Sequence, residues 1–134
     1  MNAPPKADPV RILVAEDTAT GRDVIRKYLE SSNFDLSFVE NGKAAVSAAQ
    51  AERFDIILMD VRMPEMDGLE AIRHIRSHEQ SSGLERTPIV VISANTSAED
   101  VRDCVDAGAD GHIAKPVARM DVLGAVSEFL SKRD

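Results

Sequence analysis

Five polar residues stand where short apolar runs of the chain stop, and together their types suggest one chemistry. Val10-Arg11-Ile12-Leu13-Val14-Ala15 runs into Glu16-Asp17, and Ile56-Ile57-Leu58-Met59 stops at Asp60. Ile89-Val90-Val91-Ile92 stops at Ser93, and Gly111-His112-Ile113-Ala114 at Lys115. Three acids gathered in one place repel one another, by roughly 3–4 kcal/mol per pair at 4–5 Å and an effective dielectric near 20. Without compensation one of them takes up a proton. A divalent cation removes the problem. Oxygen-only ligands favour Mg²⁺ or a similar hard ion such as Mn²⁺. No histidine or cysteine, the usual donors to zinc, stands at a strand end beside the acids.

A cation held by carboxylates next to a lysine and a hydroxyl makes a site for phosphoryl groups. Phosphoryl transfer asks little of a protein beyond positioning and charge stabilisation, and an aspartate can serve as nucleophile. Asp60, alone at its strand end and central in the set, suits that role. Lys115 would neutralise one phosphoryl oxygen, Ser93 would donate to a second, and the cation would take the third.

The elements that must position these residues are legible from apolar spacing. Val10–Ala15, Phe34–Val39, Ile56–Asp60, Pro88–Ser93 and Gly111–Ala114 read as strands, the third and fourth as runs buried on both faces. Between them the chain predicts helices. The first is capped by Thr18 or Thr20 and carries a Val24, Ile25, Tyr28, Leu29 stripe. The second, alanine-rich, spans Lys43–Glu52 after an Asn41-Gly42 turn, and the third runs from Gly68 to about His78, followed by a polar loop from Ser77 to Thr87. The fourth, opened by Thr96 or Ser97 and stopped by Gly108, has a thin inward face of Ala98, Val101 and Val105 and is expected to be the least firmly held. The last carries Val122, Leu123, Val126, Phe129 and Leu130 on one side. Five strands alternating with five helices predict an α/β fold with a parallel sheet covered on both faces. Such sheets place their sites outside the carboxyl ends of the strands, where the five polar residues stand. Only the second strand's end, Glu40-Asn41, has no place in the set.

At 134 residues the chain fits one domain, and its 43% hydrophobic and 29% charged composition is ordinary for a globular protein. A formal net charge of −7 argues against nucleic acid as a direct partner. One cysteine supports no disulfide framework and fits a reducing, cytoplasmic location. There is no apolar run of membrane-spanning length and no secretory leader. Residues 1–9, with three prolines, read as a flexible tail before a domain over 10–134.

These residues also carry a family likeness. The Glu16-Asp17 pair, the Asp60-x-x-Met63-Pro64-x-Met66-Asp67-Gly68 run, Ser93-Ala94 and Lys115-Pro116 fall in the order and spacing of a response-regulator receiver domain, which the chain resembles from about Val10 to Leu130. The resemblance implies a flavodoxin-like doubly wound (βα)5 sandwich with strand order 2-1-3-4-5. It implies that Asp60 accepts a phosphoryl group from a phosphohistidine on a histidine kinase or histidine phosphotransfer protein. Asp17, Asp60 and the backbone carbonyl of Arg62 would ligate Mg²⁺, with Glu16 acting through water. Lys115 would contact the phosphoryl group, its bond to Pro116 would be cis, and Gly68 would be structural. Ser93 and the residue three before Lys115 would move on phosphorylation and reshape the face of the fourth helix, fifth strand and fifth helix toward a downstream protein.

That last residue departs from the family, which usually has Tyr or Phe; here it is His112, smaller and able to titrate near neutral pH. Arg62 and Asn95, two residues beyond Asp60 and Ser93, flank the approach of an attacking water and are expected to set the lifetime of the phosphate. Bland readings compete at other positions. His74 and His78 fit a solvated face, Cys104 a small packing residue, Met63 and Met66 loop packing. Arg22, Arg26 and Lys27 read equally as a docking patch or a solvated face. An aspartyl-nucleophile phosphatase would want a second acid where Arg62 stands. A phosphoacceptor without turnover of an outside substrate is therefore expected, either stand-alone or as the receiver of a hybrid histidine kinase.

Overall fold

The computed structural model describes residues 9–30 and 33–131; residues 1–8 of the tail expected over 1–9, and the last three residues, lie outside them. The elements alternate as β1 (Val10–Ala15), α1 (Ala19–Leu29), β2 (Phe34–Val39), α2 (Gly42–Ala51), β3 (Ile56–Asp60), α3 (Gly68–Ser82), β4 (Ile89–Ser93), α4 (Ala98–Ala107), β5 (Gly111–Ala114) and α5 (Arg119–Ser131). All four strand pairings are parallel, in the order β2-β1-β3-β4-β5. This is the expected doubly wound sandwich.

Alternation along the strands splits the core in two. Leu13, Ala15, Ile57, Met59, Ile89 and Val91 pack toward α2, α3 and α4. Ile12, Val14, Leu58, Val90, Ile92 and Ile113 pack toward α1 and α5. Because both faces are covered, β3 and β4 are buried at every position, which is why they read as unbroken apolar runs rather than alternating ones. Each fully buried aliphatic side chain contributes about 1.5–3 kcal/mol, so the central strands carry much of the core's stabilisation. Register then aligns their ends. Ala15 lies beside Met59, Asp60 beside Ile92, and Ser93 beside Ala114.

Three expectations need correction. α3 does not stop at His78 but continues to Ser82 and ends on Gly83 in the left-handed conformation, so the loop is shorter than expected. The extension is compatible with burial because Arg76 and Glu79 are bonded to each other at 2.8 Å, which offsets part of the cost of burying charge. On α4 the inward residues are Cys104 and Ala107, while Val105 is 61% exposed and Val101 only half-buried. The inward face is thin, as expected, but is made of different side chains. Asn41-Gly42 is a helix start rather than a free turn: Asn41 accepts from Ala44 N–H at 2.8 Å. Gly42 is required by packing, since a Cβ there would collide with the Met66 carbonyl.

Candidate functional site

The cluster assembles at the carboxyl ends of three adjacent strands and β5. Continuing the β1–β3 register one residue past Ala15 sets Glu16 beside Asp60, and Asp17 follows in the turn before α1. Glu16, Asp17 and Asp60 each present a carboxylate oxygen, all within 4.8 Å of one another. Glu16 and Asp60 are buried and Asp17 is exposed. Lys115 reaches across from the end of β5, its Nζ donating to Asp60 Oδ2 at 2.9 Å and lying 3.7 Å from Glu16 Oε1. The Lys115–Pro116 peptide bond is cis.

Three negative charges thus face one positive charge. The carboxyl of the buried Glu16 is pushed from its ordinary 4.5 up to about 7. Burial is the main cause; the Asp17 and Asp60 side chains raise it further, while the Thr18 N–H, 3.2 Å from Oε2, pulls it down. For Lys115 burial acts first and lowers the pKa, but the hydrogen bond and charge of Asp60, with Glu16 and Asp17 behind it, outweigh burial and leave the ammonium firmly protonated. Three oxygen donors, no nitrogen or sulfur donor, and an acid at the edge of accepting a proton fit a hard divalent cation.

The other expected residues take definite positions. Ser93 is buried, and its Oγ accepts from Asn95 N–H at 3.0 Å. Arg62 donates its backbone N–H weakly to Asp60 Oδ1 at 3.4 Å, and both Arg62 and Asn95 are exposed. Asp17, Arg62, Met63 and Asp67 line an open recess of about 510 Å³ beside the acids. Gly68 is the first residue of α3; its N–H donates to Val61 carbonyl at 2.7 Å, and a Cβ there would strike the Asp60 carbonyl. Asp67 caps the helix, accepting from Glu70 N–H at 2.9 Å. The only non-glycine residue with positive φ among those described is Glu65, at 68°. His112 sits apart from the acids, on the cavity between α4, β5 and α5, with Nε2 buried and no hydrogen-bond partner.

Several roles had no clear signal in the sequence. Arg22 donates to the Glu16 carbonyl at 3.0 Å and pairs with Glu40 at 3.3 Å, tying the end of β1 to the end of β2. Glu40, unplaced from sequence, thereby braces the site without entering it, and the suspected basic patch is largely spent on local pairs: Arg26 bonds Asp23 and lies over the Phe38 ring at 4.6 Å. Beside Asp60 and Lys115 a cleft of about 410 Å³ runs between α1 and the segment after β5, walled by Val24, Ile25, Tyr28, Pro116 and Val117. Tyr28 closes one side by donating its hydroxyl to the Val117 carbonyl at 3.1 Å. His74 is exposed and Cys104 is 4% exposed, its thiol raised by burial and then by Asp100 and Asp103.

Known proteins share this fold. The chain is 34% identical over 126 residues to hybrid signal transduction histidine kinase A of Dictyostelium discoideum, covering 93% of this chain but 6% of that protein's length. The receiver domain of the sensor histidine kinase PA1611 from Pseudomonas aeruginosa, crystallised with a magnesium ion coordinated in its active site cleft, matches with a TM-score of 0.82 and 33% identity over 92% of this chain and 98% of that one. The receiver of the Saccharomyces cerevisiae response regulator Ssk1, solved with the histidine phosphotransfer protein Ypd1, shares the fold with a TM-score of 0.86 and 24% identity, covering 92% of this chain and 91% of that one. The response regulator receiver domain family matches residues 12–127. With its doubly wound sheet and its acids gathered at the strand ends, the chain belongs to the response regulator receiver domain family and is a module of phosphorelay signalling.

Proposed function

We propose that Asp60 is the phosphoacceptor, receiving a phosphoryl group from a phosphohistidine of a histidine kinase or histidine phosphotransfer protein. The observation that carries this is the pairing of Asp60 with Lys115 at 2.9 Å inside a cluster of three acids. Mg²⁺, held by Asp17, Asp60, the Arg62 carbonyl and, through water, Glu16, would supply the positive charge that lets the phosphoryl oxygens approach these acids. Before transfer Lys115 holds Oδ2, whereas Oδ1 receives only the weak Arg62 N–H, so Oδ1 keeps a lone pair for attack. An O–P bond forms as the P–N bond breaks, and the imidazole leaves with the electron pair and takes a proton. Lys115 then turns its ammonium to a phosphoryl oxygen, and Ser93 releases Asn95 to donate its hydroxyl to another. Arg62 and Asn95, both exposed and each two residues beyond a site residue, govern how readily water reaches the phosphorus.

The cleft between α1 and the segment after β5 suits entry of the donor imidazole, because it opens beside Asp60 and is walled by apolar side chains. Ser93 motion is relayed through β4 and β5 to the α4–β5–α5 face, where His112 stands in the switch position, and that face contacts a downstream protein. The protein works in the cytoplasm as a phosphoacceptor that slowly loses its phosphate, not as an enzyme turning over an outside substrate; no helix of the described residues is long and apolar enough to cross a membrane. A second form of the same reading, a receiver within a hybrid histidine kinase, is favoured by the 34% identity to a kinase of that kind.

The test is phosphotransfer from a panel of labelled histidine kinases to the wild-type protein and to Asp60→Asn, with and without Mg²⁺. Label should enter only the wild-type protein and vanish with chelator. Equal labelling of both proteins would overturn the assignment.

A further inference from the structure

Gly21, in the first turn of α1, lies against the Glu16 side chain. A Cβ built there would fall 2.6 Å from Glu16 Cδ and 2.7 Å from Cγ, and closer still to Oε1. We infer that Gly21 is a positioning residue for the cation site: its missing side chain is the space into which the Glu16 carboxylate folds. The inference rests on the proposed role of Glu16 near the cation.

The geometry decides which partner would yield to a methyl group. The backbone of Gly21 is pinned, since its N–H donates to the capping Thr18 Oγ1 at 3.0 Å and the next N–H, of Arg22, donates to the Thr18 carbonyl at 3.0 Å. The atoms in the way are not backbone but the outer part of a long side chain. Alanine at this position would therefore leave the helix in place and displace the carboxylate. The carboxylate would lose the Thr18 N–H at 3.2 Å and its place 3.7 Å from Lys115, and with them its distance to Asp17 and Asp60. A side chain cut back to Cβ, as in Glu16→Ala, leaves none of these atoms over residue 21, so the requirement for glycine belongs to glutamate at position 16.

That pairing is tested by a double-mutant cycle read as Mg²⁺ affinity by calorimetry and as melting temperature in EDTA. Gly21→Ala should weaken Mg²⁺ binding by roughly 10-fold, the scale on which residues behind a ligand act, when Glu16 is present. In the Glu16→Ala background the same change should cost little, and it should leave the metal-free melting temperature level or higher, because alanine is the better helix former. Equal losses of affinity in both backgrounds, or none in either, would overturn the pairing. A wild-type protein that binds no Mg²⁺ would instead overturn the cation reading, and the pairing would then stand or fall on the metal-free melting temperatures, where only a drop confined to the Glu16 background supports it.

Discussion

The two ends of the sheet handle buried charge in opposite ways. At the carboxyl ends of the strands, Glu16, Asp17 and Asp60 share one ammonium, and Glu16 is left near the point of protonation. At the amino ends, Arg76 spends its guanidinium on Glu79 at 2.8 Å, Asp110 at 2.7 Å and the carbonyls of Thr87 and Gly108. The acids there are satisfied in turn. Glu79 Oε2 accepts from Thr87 N–H, and Asp110 accepts from Ile89 N–H and from Arg86. One cluster is closed and the other is short of positive charge. A closed network offers an incoming group nothing, whereas a cluster short of cations has a standing affinity for one. The same residue types thus serve architecture at one end and chemistry at the other.

Mutations at the two ends should separate these roles. The largest effect is expected from Arg76→Met, which strands Glu79 and Asp110; breaking a buried ion pair from one side costs about 3–5 kcal/mol. Urea unfolding should show that loss, while Mg²⁺ affinity of the folded fraction stays close to wild type. At the other end the sign reverses. Glu16 has a folded pKa raised from 4.5 to about 7, so the stability it lends is fully present below 4.5 and is lost as pH rises through 7. That window carries about 3 kcal/mol. Calorimetry in EDTA should record the decline, and Glu16→Gln should flatten it.

Smaller effects sharpen the boundary between scaffold and site. Gly68→Ala drives a methyl group into the Asp60 carbonyl, a backbone atom that cannot swing aside. A loss of about 1–3 kcal/mol is expected from such overpacking, together with slower phosphotransfer, because β3 must shift. Asp67→Ala removes only the cap of α3 and should cost about 1 kcal/mol, visible in thermal melts, with phosphotransfer rates near wild type. If Asp67→Ala slowed transfer as much as Gly68→Ala, the helix start and not the strand end would be setting the position of Asp60.

Much of this was legible in the residue order. β3 and β4 announced themselves as unbroken apolar runs, and the polar residues that end them pointed to the carboxyl edge of a parallel sheet. The acid cluster and the reach of Lys115 follow from that edge. Legibility failed where a side chain's partner is distant in sequence. Arg76 and Glu79 continue the helical phase of Ile72 and Ile75, but reading them as buried required knowing that Thr87, Gly108 and Asp110 lie around them. On α4, Cys104 was legible as a small packing residue, but Val105 looked like core and is 61% exposed, because a short helix with small apolar residues has no decisive stripe. Gly21 carried no signal at all, since the need for an empty space appears only once Glu16 has a direction.

Lys115 pairs with an acid 55 residues earlier in the chain. A polypeptide emerging from the ribosome amino end first therefore exposes all of its site acids well before the ammonium of Lys115 has been made. Nascent chains halted between these points should lean on dissolved Mg²⁺ to gather β1 and β3, and should become independent of it once β5 has joined the sheet.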